Sequence, residues 1–209
     1  MLISRQNQKG ATLIEMMIAM TLGLASLATV ASIVGYGIGV NGKLLASSRL
    51  NEEINDIGSL LTRDIKRAGY SADTTAMVTD PVASPSPFAN SVVVSAHPDE
   101  DANSCIIYAY DRNENGVLDT VGTNENFGFR LRDNAVEIRI GGAACVDGGW
   151  QNLTDTDMVS ITALNFNLNQ TTFNGVVSTQ VNIFIQGELA SDSDFTRQFN
   201  TSFMVRNYD

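Results

Sequence analysis

Three successive patterns of apolar and polar positions run along the chain, and each predicts a different element. A polar, Lys/Arg-bearing stretch from Met1 to Gly10 precedes an apolar run to about Val40 whose only formal charge is Glu15. That run exceeds the ~20 residues a transmembrane helix requires, and Arg5 and Lys9 before it favour a cytoplasmic N-terminus. From Asn41 to Gly69 the pattern turns amphipathic: Leu50, Ile54, Ile57, Leu61 and Ile65 fall on one face of an α-helix. Arg49, Glu52, Glu53, Asp56, Arg63 and Lys66 lie largely elsewhere on the wheel, and Gly69 is a C-terminal stop. Residues 71–90 hold Pro81, Pro85 and Pro87 and read as a loop.

Strand-like runs follow at Ser91–Ala96, Cys105–Tyr110, Phe127–Leu131, Ala135–Ile140, Met158–Leu168, Val176–Leu189 and Phe195–Val205. Asp133-Asn134, Gly141-Gly142, Gly148-Gly149, Asn174-Gly175 and Ser191–Asp194 supply turns between them. No ten-residue helical pattern intervenes, so an antiparallel sheet is expected. The expected fold is α+β: a long N-terminal helix with an apolar transmembrane half and an amphipathic half, packed on an antiparallel β-sheet domain. The segments are a leader over 1–10, an apolar helix over 11–40, its amphipathic continuation over 41–69 and a β-rich domain over 70–209.

Glu15 needs an explanation. A carboxylate near the centre of a membrane helix costs roughly 2.5–3.5 kcal/mol and marks a functional site by default. If the chain is cut between Gly10 and Ala11, the new amine lies four residues before Glu15 on the same helix face. The stretch Gly10-Ala-Thr12-Leu13-Ile14-Glu15, behind a short basic leader, resembles the N-terminal segment of the type IV pilin superfamily. The family's usual first mature residue is Phe, and here it is Ala11. The resemblance implies cleavage after Gly10 by prepilin peptidase, N-methylation of Ala11, and pairing of Glu15 with a terminal amine during assembly. The alternatives are a secretory signal peptide cut near Ala28–Ala31 and a simple signal anchor. Gly23, Gly35, Gly37 and Gly39 each cost about 1 kcal/mol relative to Ala. They imply either a softened helix near 35–42 or close helix–helix packing.

The closing stretch of the amphipathic half, Leu61-Thr-Arg-Asp-Ile-Lys-Arg-Ala-Gly-Tyr70, resembles a segment of PilW minor pilins and the related GspJ pseudopilins. What this implies is a precursor in the bacterial inner membrane, with its globular domain in the periplasm, that later enters a filament. Partners implied are other minor and major pilins and a large tip adhesin. Filament type stays open between a type IV pilus and the endopilus of type II secretion. A membrane-anchored extracytoplasmic binding module is the rival from another class.

Composition narrows the function. The formal charge is −10, and loss of Arg5 and Lys9 with the leader makes it −12, which disfavours nucleic acid as a partner. Cys105 and Cys145 lie in the part expected to be exported, where a disulfide forms readily; the alternative is two buried thiols. Asp111, Asn113, Asn115 and Asp119, with Gly116 at the sixth position and the Val117 carbonyl at the seventh, match the first three-quarters of an EF-hand-type calcium loop. The twelfth position is Gly122, and Glu125 arrives three residues late. Calcium would stiffen a loop between two strands, whereas a plain Asp/Asn/Gly turn needs no metal. Running on into Phe127-Gly-Phe-Arg-Leu131, this stretch again resembles PilW-like proteins. His97 reads as a solvated loop residue and Trp150 as a packing or rim aromatic. With no nucleophile, phosphate-loop or zinc motif, an enzyme is not expected.

Overall fold

The computed structural model describes residues 10–80, 83–173 and 176–205. The leader residues Met1–Lys9, Pro81 and the Asn174-Gly175 turn lie outside that range. Among the described residues the order is one long helix α1 (Leu13–Ile65), a short helix α2 (Thr75–Thr79) and eight strands, so the chain is α+β. Two compact units result, one ending at Ala46 and one from Ser47 onward.

In the first unit, helix α1 is continuous through Gly35, Gly37 and Gly39. A side chain added at any of the three would meet nothing within 4 Å. Ile14, Met17, Leu24, Ile33 and Ile38 are all exposed. From Leu13 to Val40 an α-helix rises about 40 Å, more than the ~30 Å of bilayer hydrocarbon. Among the described residues α1 is the only helix long and apolar enough to cross a membrane. Among the described residues its large apolar side chains are exposed, a surface of the kind that lipid or neighbouring helices cover.

In the second unit the last part of α1 does what its periodicity demands. Leu50, Ile54, Ile57, Leu61 and Ile65 are all buried, each worth roughly 1.5–3 kcal/mol relative to exposure. Their cover is a meander of three antiparallel strands, β6 (Val159–Phe173), β7 (Val176–Leu189) and β8 (Asp192–Val205). Along β7, Val181, Ile183 and Ile185 are buried while Asn182 and Gln186 face outward, the period of two that the sequence carries. The helix comes close because Gly58 and Gly187 have no side chains. Ile54 Cδ1 occupies the space above Gly187, and a Cβ on Gly58 would lie only 2.4–2.6 Å from carbons of the Phe199 ring.

A second antiparallel meander holds β1 (Val93–Ser95), β2 (Cys105–Ala109), β3 (Asn126–Arg132), β4 (Ala135–Ile138) and β5 (Gln151–Asn152) in that order. The sequence predicts one sheet; the chain forms two. Strand β6 joins them, because Phe166 N–H donates to Asn103 O (2.9 Å) and Ile161 N–H to Asn134 O (2.9 Å). These are loop carbonyls, not strand positions, so no strand periodicity announces the break. The expected loop over 71–90 contains α2, and the two-residue β5 has no counterpart among the predicted strands.

Candidate functional site

Four structural features bear on function, beginning at the N-terminal end of α1. Thr12 precedes the first helical residue, and Glu15 Oε2 accepts hydrogen bonds from Thr12 N–H (3.1 Å) and Thr12 Oγ1–H (3.2 Å). Glu15 N–H in turn donates to Thr12 Oγ1 at 3.3 Å. This is a reciprocal capping box, in which two backbone donors left over at a helix start are satisfied by side chains. A carboxylate in the first turn also faces the positive end of the helix dipole. Glu15 therefore has a local partner before any second chain is considered. The Thr-x-x-Glu spacing of this box is present in the sequence itself. Gly10 and Ala11 lie just ahead of the helix and are exposed.

The second feature is the joint between helix and sheet, formed by the Arg63–Tyr70 segment. Helix α1 ends at Ile65, and Gly69 adopts φ +79°, the left-handed conformation that turns the chain. Gly69 N–H then donates to Ala109 O (2.9 Å), and Asp111 N–H donates to Tyr70 O (2.9 Å). Asp64 projects onto β2, where its carboxylate accepts the hydroxyls of Tyr108 and, at 3.3 Å, Tyr110. Arg67 lies 4.6 Å above the Tyr110 ring, which stacks on Phe127 at 4.1 Å. Burial first, and then the Asp64 carboxylate, push the Tyr110 pKa up to about 12 and that of Tyr108 well above its ordinary value. The sequence marks Tyr108 and Tyr110 only as part of a strand-like run.

The third feature is the disulfide of Cys105 and Cys145, with Cα atoms 6.2 Å apart at a sequence separation of 40. It ties the loop after β4 to β2. Arg130, buried opposite Cys105 in the β2–β3 ladder, reinforces the tie. Its Nη1 donates to Cys145 O (2.7 Å) and Asp147 O (2.8 Å), and its Nε to Glu137 Oε2 (2.6 Å). Trp150 packs against this guanidinium at 4.6 Å and donates Nε1–H to Ala144 O, which makes it the packing aromatic expected. His97 is not solvated: its side chain is 16 % exposed and Nδ1 lies 3.2 Å from Arg132 Nη1.

The fourth feature is the loop from Asp111 to Glu125. Asp111 accepts N–H groups of Ala72 (3.0 Å), Asn115 (3.1 Å) and Gly116 (2.8 Å). Glu125 is fully buried and accepts N–H groups of Arg112 (2.7 Å), Asn113 (3.2 Å) and Asp119 (3.0 Å). Glu125 thus reaches the loop despite its three-residue delay, and Asp111 and Asp119 stand where the spacing placed them. Asn113 and Asn115 direct their amide nitrogens to Asp119 Oδ2 at 2.7 and 2.9 Å. Calcium requires six to eight converging oxygens. Here the Asp111, Asp119 and Glu125 carboxylates accept protein donors, and among the described residues no three acidic, His or Cys side chains are grouped to hold a metal. As arranged, Asx-type turns close the loop, with Val117 N–H donating to Asn115 Oδ1 at 2.8 Å.

Known proteins resemble the chain at both ends of this description. The model of the prokaryotic N-terminal methylation motif matches residues 5–31. That of prepilin peptidase-dependent protein B matches residues 43–205. The chain is 34% identical over 59 residues to prepilin peptidase-dependent protein B of Escherichia coli (strain K12), a match covering 27% of this chain and 32% of that protein. The matched stretch thus spans about a third of that relative's length. No solved structure matches the chain. With a bare apolar helix behind a methylation motif, and a β-rich unit matched almost end to end, the chain belongs to the prepilin peptidase-dependent protein B family and is a pilin-like protein of the minor pilin or pseudopilin kind.

Proposed function

We propose that the protein is a minor pilin of the PilW type that takes part in type IV pilus assembly. Prepilin peptidase cuts its leader after Gly10 and the Ala11 amine is methylated. The precursor waits in the inner membrane with its β-rich unit in the periplasm, then moves into a filament among other minor and major pilins. A large tip adhesin is a further partner that this reading implies. The role is structural, so the mechanism is assembly, not turnover.

The observation that carries the reading is the placement of Glu15. It stands in the first turn of a helix whose apolar surface is bare from Leu13 to Leu45. In a bundle of such helices water is excluded, and an unpaired carboxylate costs several kcal/mol. The Ala11 amine of a neighbour is a suitable partner, so pairing selects register. Thr12 holds the Glu15 side chain at the helix start until that partner arrives.

Two substitutions separate charge from cap. Glu15→Gln keeps a capping box, since Gln serves at that position, but removes the charge; Glu15→Ala removes both. Both variants should insert into the membrane and both should fail to support pili. Normal pili in Glu15→Gln would mean that capping alone matters. A gene deletion scored for surface pili, twitching and type II secretion distinguishes filaments. Loss of pili and twitching supports the PilW reading, while loss of secretion alone assigns the protein to a GspJ-like endopilus role.

A further inference from the structure

A cleft of about 700 Å³ opens at the end of the five-stranded sheet where β2 leaves, β3 begins and β4 ends. Arg112 and Arg139 line it, together with Thr123, Asn124 and Asn126. Its rim carries exposed Ile140, and Val121, which precedes the lining residue Gly122 in the chain, is 87% exposed.

The arginines of this sheet are not treated alike. Arg130 has Glu137, and Arg132 has Asp99, Glu100 and Asp133 within ion-pair distance. Arg139 has carbonyls only: Nε donates to Ala143 O (2.6 Å), Nη2 to Gly142 O (2.7 Å) and Nη1 to Phe127 O (3.3 Å). Those bonds fix the guanidinium but leave its charge uncompensated. Burial accordingly lowers the pKa of Arg139. The Arg112 guanidinium, exposed at the mouth, has no hydrogen bond or ion pair among the described residues. Two unneutralised guanidinium groups in one concavity, on a chain of charge −10, are a local reversal of sign.

We propose that this cleft docks a carboxylate, an Asp or Glu side chain flanked by an apolar residue, on an extended segment of a neighbouring filament subunit. Arg112 offers the free fork for a bidentate contact, and Arg139 a fixed positive floor. Ile140 and Val121 supply the apolar contact beside it, the pairing of Arg and apolar anchors typical of protein interfaces. A polyanion fits less well. Arg139 has committed three donors to carbonyls, which leaves few for successive phosphates. The proposal rests on the assembly reading for the identity of the partner, and the test keeps the two apart.

Full-length protein in a non-ionic detergent is titrated with a Leu-Glu-Val peptide, blocked at both ends and carrying an uncharged dye, and with its Leu-Gln-Val counterpart. Fluorescence anisotropy should show saturable binding of the Glu peptide, weakened by salt. Binding should be roughly tenfold weaker for the Gln peptide and for the Arg112→Glu variant, in which a like charge replaces the fork. Arg112 is exposed, so its substitution should leave the melting temperature unchanged; Arg112→Gln provides a milder second variant. Equal binding of the two peptides, or no effect of either Arg112 variant, would overturn the proposal. Displacement by inorganic phosphate at concentrations where acetate has no effect would also overturn it, in favour of a phosphate site. Filament phenotypes read the other question: peptide binding that persists in a protein whose deletion leaves pili and secretion intact would sink the assembly reading alone.

Discussion

Replacing Asp64 by Ala should destabilise the second unit by about 2 kcal/mol, because one carboxylate closes the joint between helix and sheet. It accepts two tyrosine hydroxyls and is 25% exposed, while Tyr108 is 1% exposed. Hydrogen bonds to a charged acceptor contribute about 1.5–3 kcal/mol, and an orphaned buried hydroxyl costs about 1–3 kcal/mol. Against this, Ala is a better helix former than Asp by at most about 0.7 kcal/mol. For a unit of this size 2 kcal/mol lowers the melting temperature by roughly 4–8 °C. Thermal unfolding of the full chain in non-ionic detergent, followed by near-ultraviolet circular dichroism, reads that shift. The critical comparison is the double variant Asp64→Ala/Tyr108→Phe, which removes the orphan together with its partner. It should be no less stable than Asp64→Ala alone, giving a coupling of about 1 kcal/mol or more. Strict additivity would refute the reasoning.

The same joint sets an alkaline limit. Both tyrosines have raised pKa values in the folded state, so their contribution is complete below the unfolded value of about 10 and is lost as pH rises through about 12 for Tyr110. Melting temperature should therefore fall above pH 10, less steeply in Tyr108→Phe; equal slopes would contradict the assignment. Cys145→Ser should cost up to about 4 kcal/mol by the loop-entropy estimate for the 40-residue closure; a change in melting temperature under 2 °C would mean that Arg130 and Glu137 hold the loop unaided. Gly58→Ala should destabilise by about 1 kcal/mol despite better helix propensity, because its Cβ meets Phe199; stabilisation would contradict the close approach. Calcium should leave the melting temperature where a chelator leaves it, whereas a site of Kd about a hundredth of the added concentration would contribute about 2.7 kcal/mol.

Much of this architecture was legible in the sequence. The apolar face of α1 from Leu50 to Ile65 was readable because 3.6-residue periodicity is local. The β7 alternation was readable for the same reason. The split into two sheets was not, since it depends on loop carbonyls of Asn103 and Asn134 meeting β6. Asp64, Tyr108 and Tyr110 were hidden for a similar reason: 44 residues separate the first pair, and no spacing rule links a helix end to a strand. The Asp111 loop is ambiguous in the sequence for a chemical reason: its residue types match a ligand template, and the same oxygens serve backbone donors. For Glu15 the isolated charge dominates the local pattern, while its Thr12 partner is carried only by a three-residue spacing that is a capping signature.

The central claim is that Glu15 awaits an amine that exists only after cleavage between Gly10 and Ala11. Intact-mass analysis and N-terminal sequencing of the chain purified from cells with and without prepilin peptidase test it most directly. With the peptidase, the account predicts a chain that begins at a singly methylated Ala11; without it, the leader should remain. A chain that keeps Met1–Gly10 in the presence of the peptidase, or is cut near Ala28–Ala31, would contradict the account.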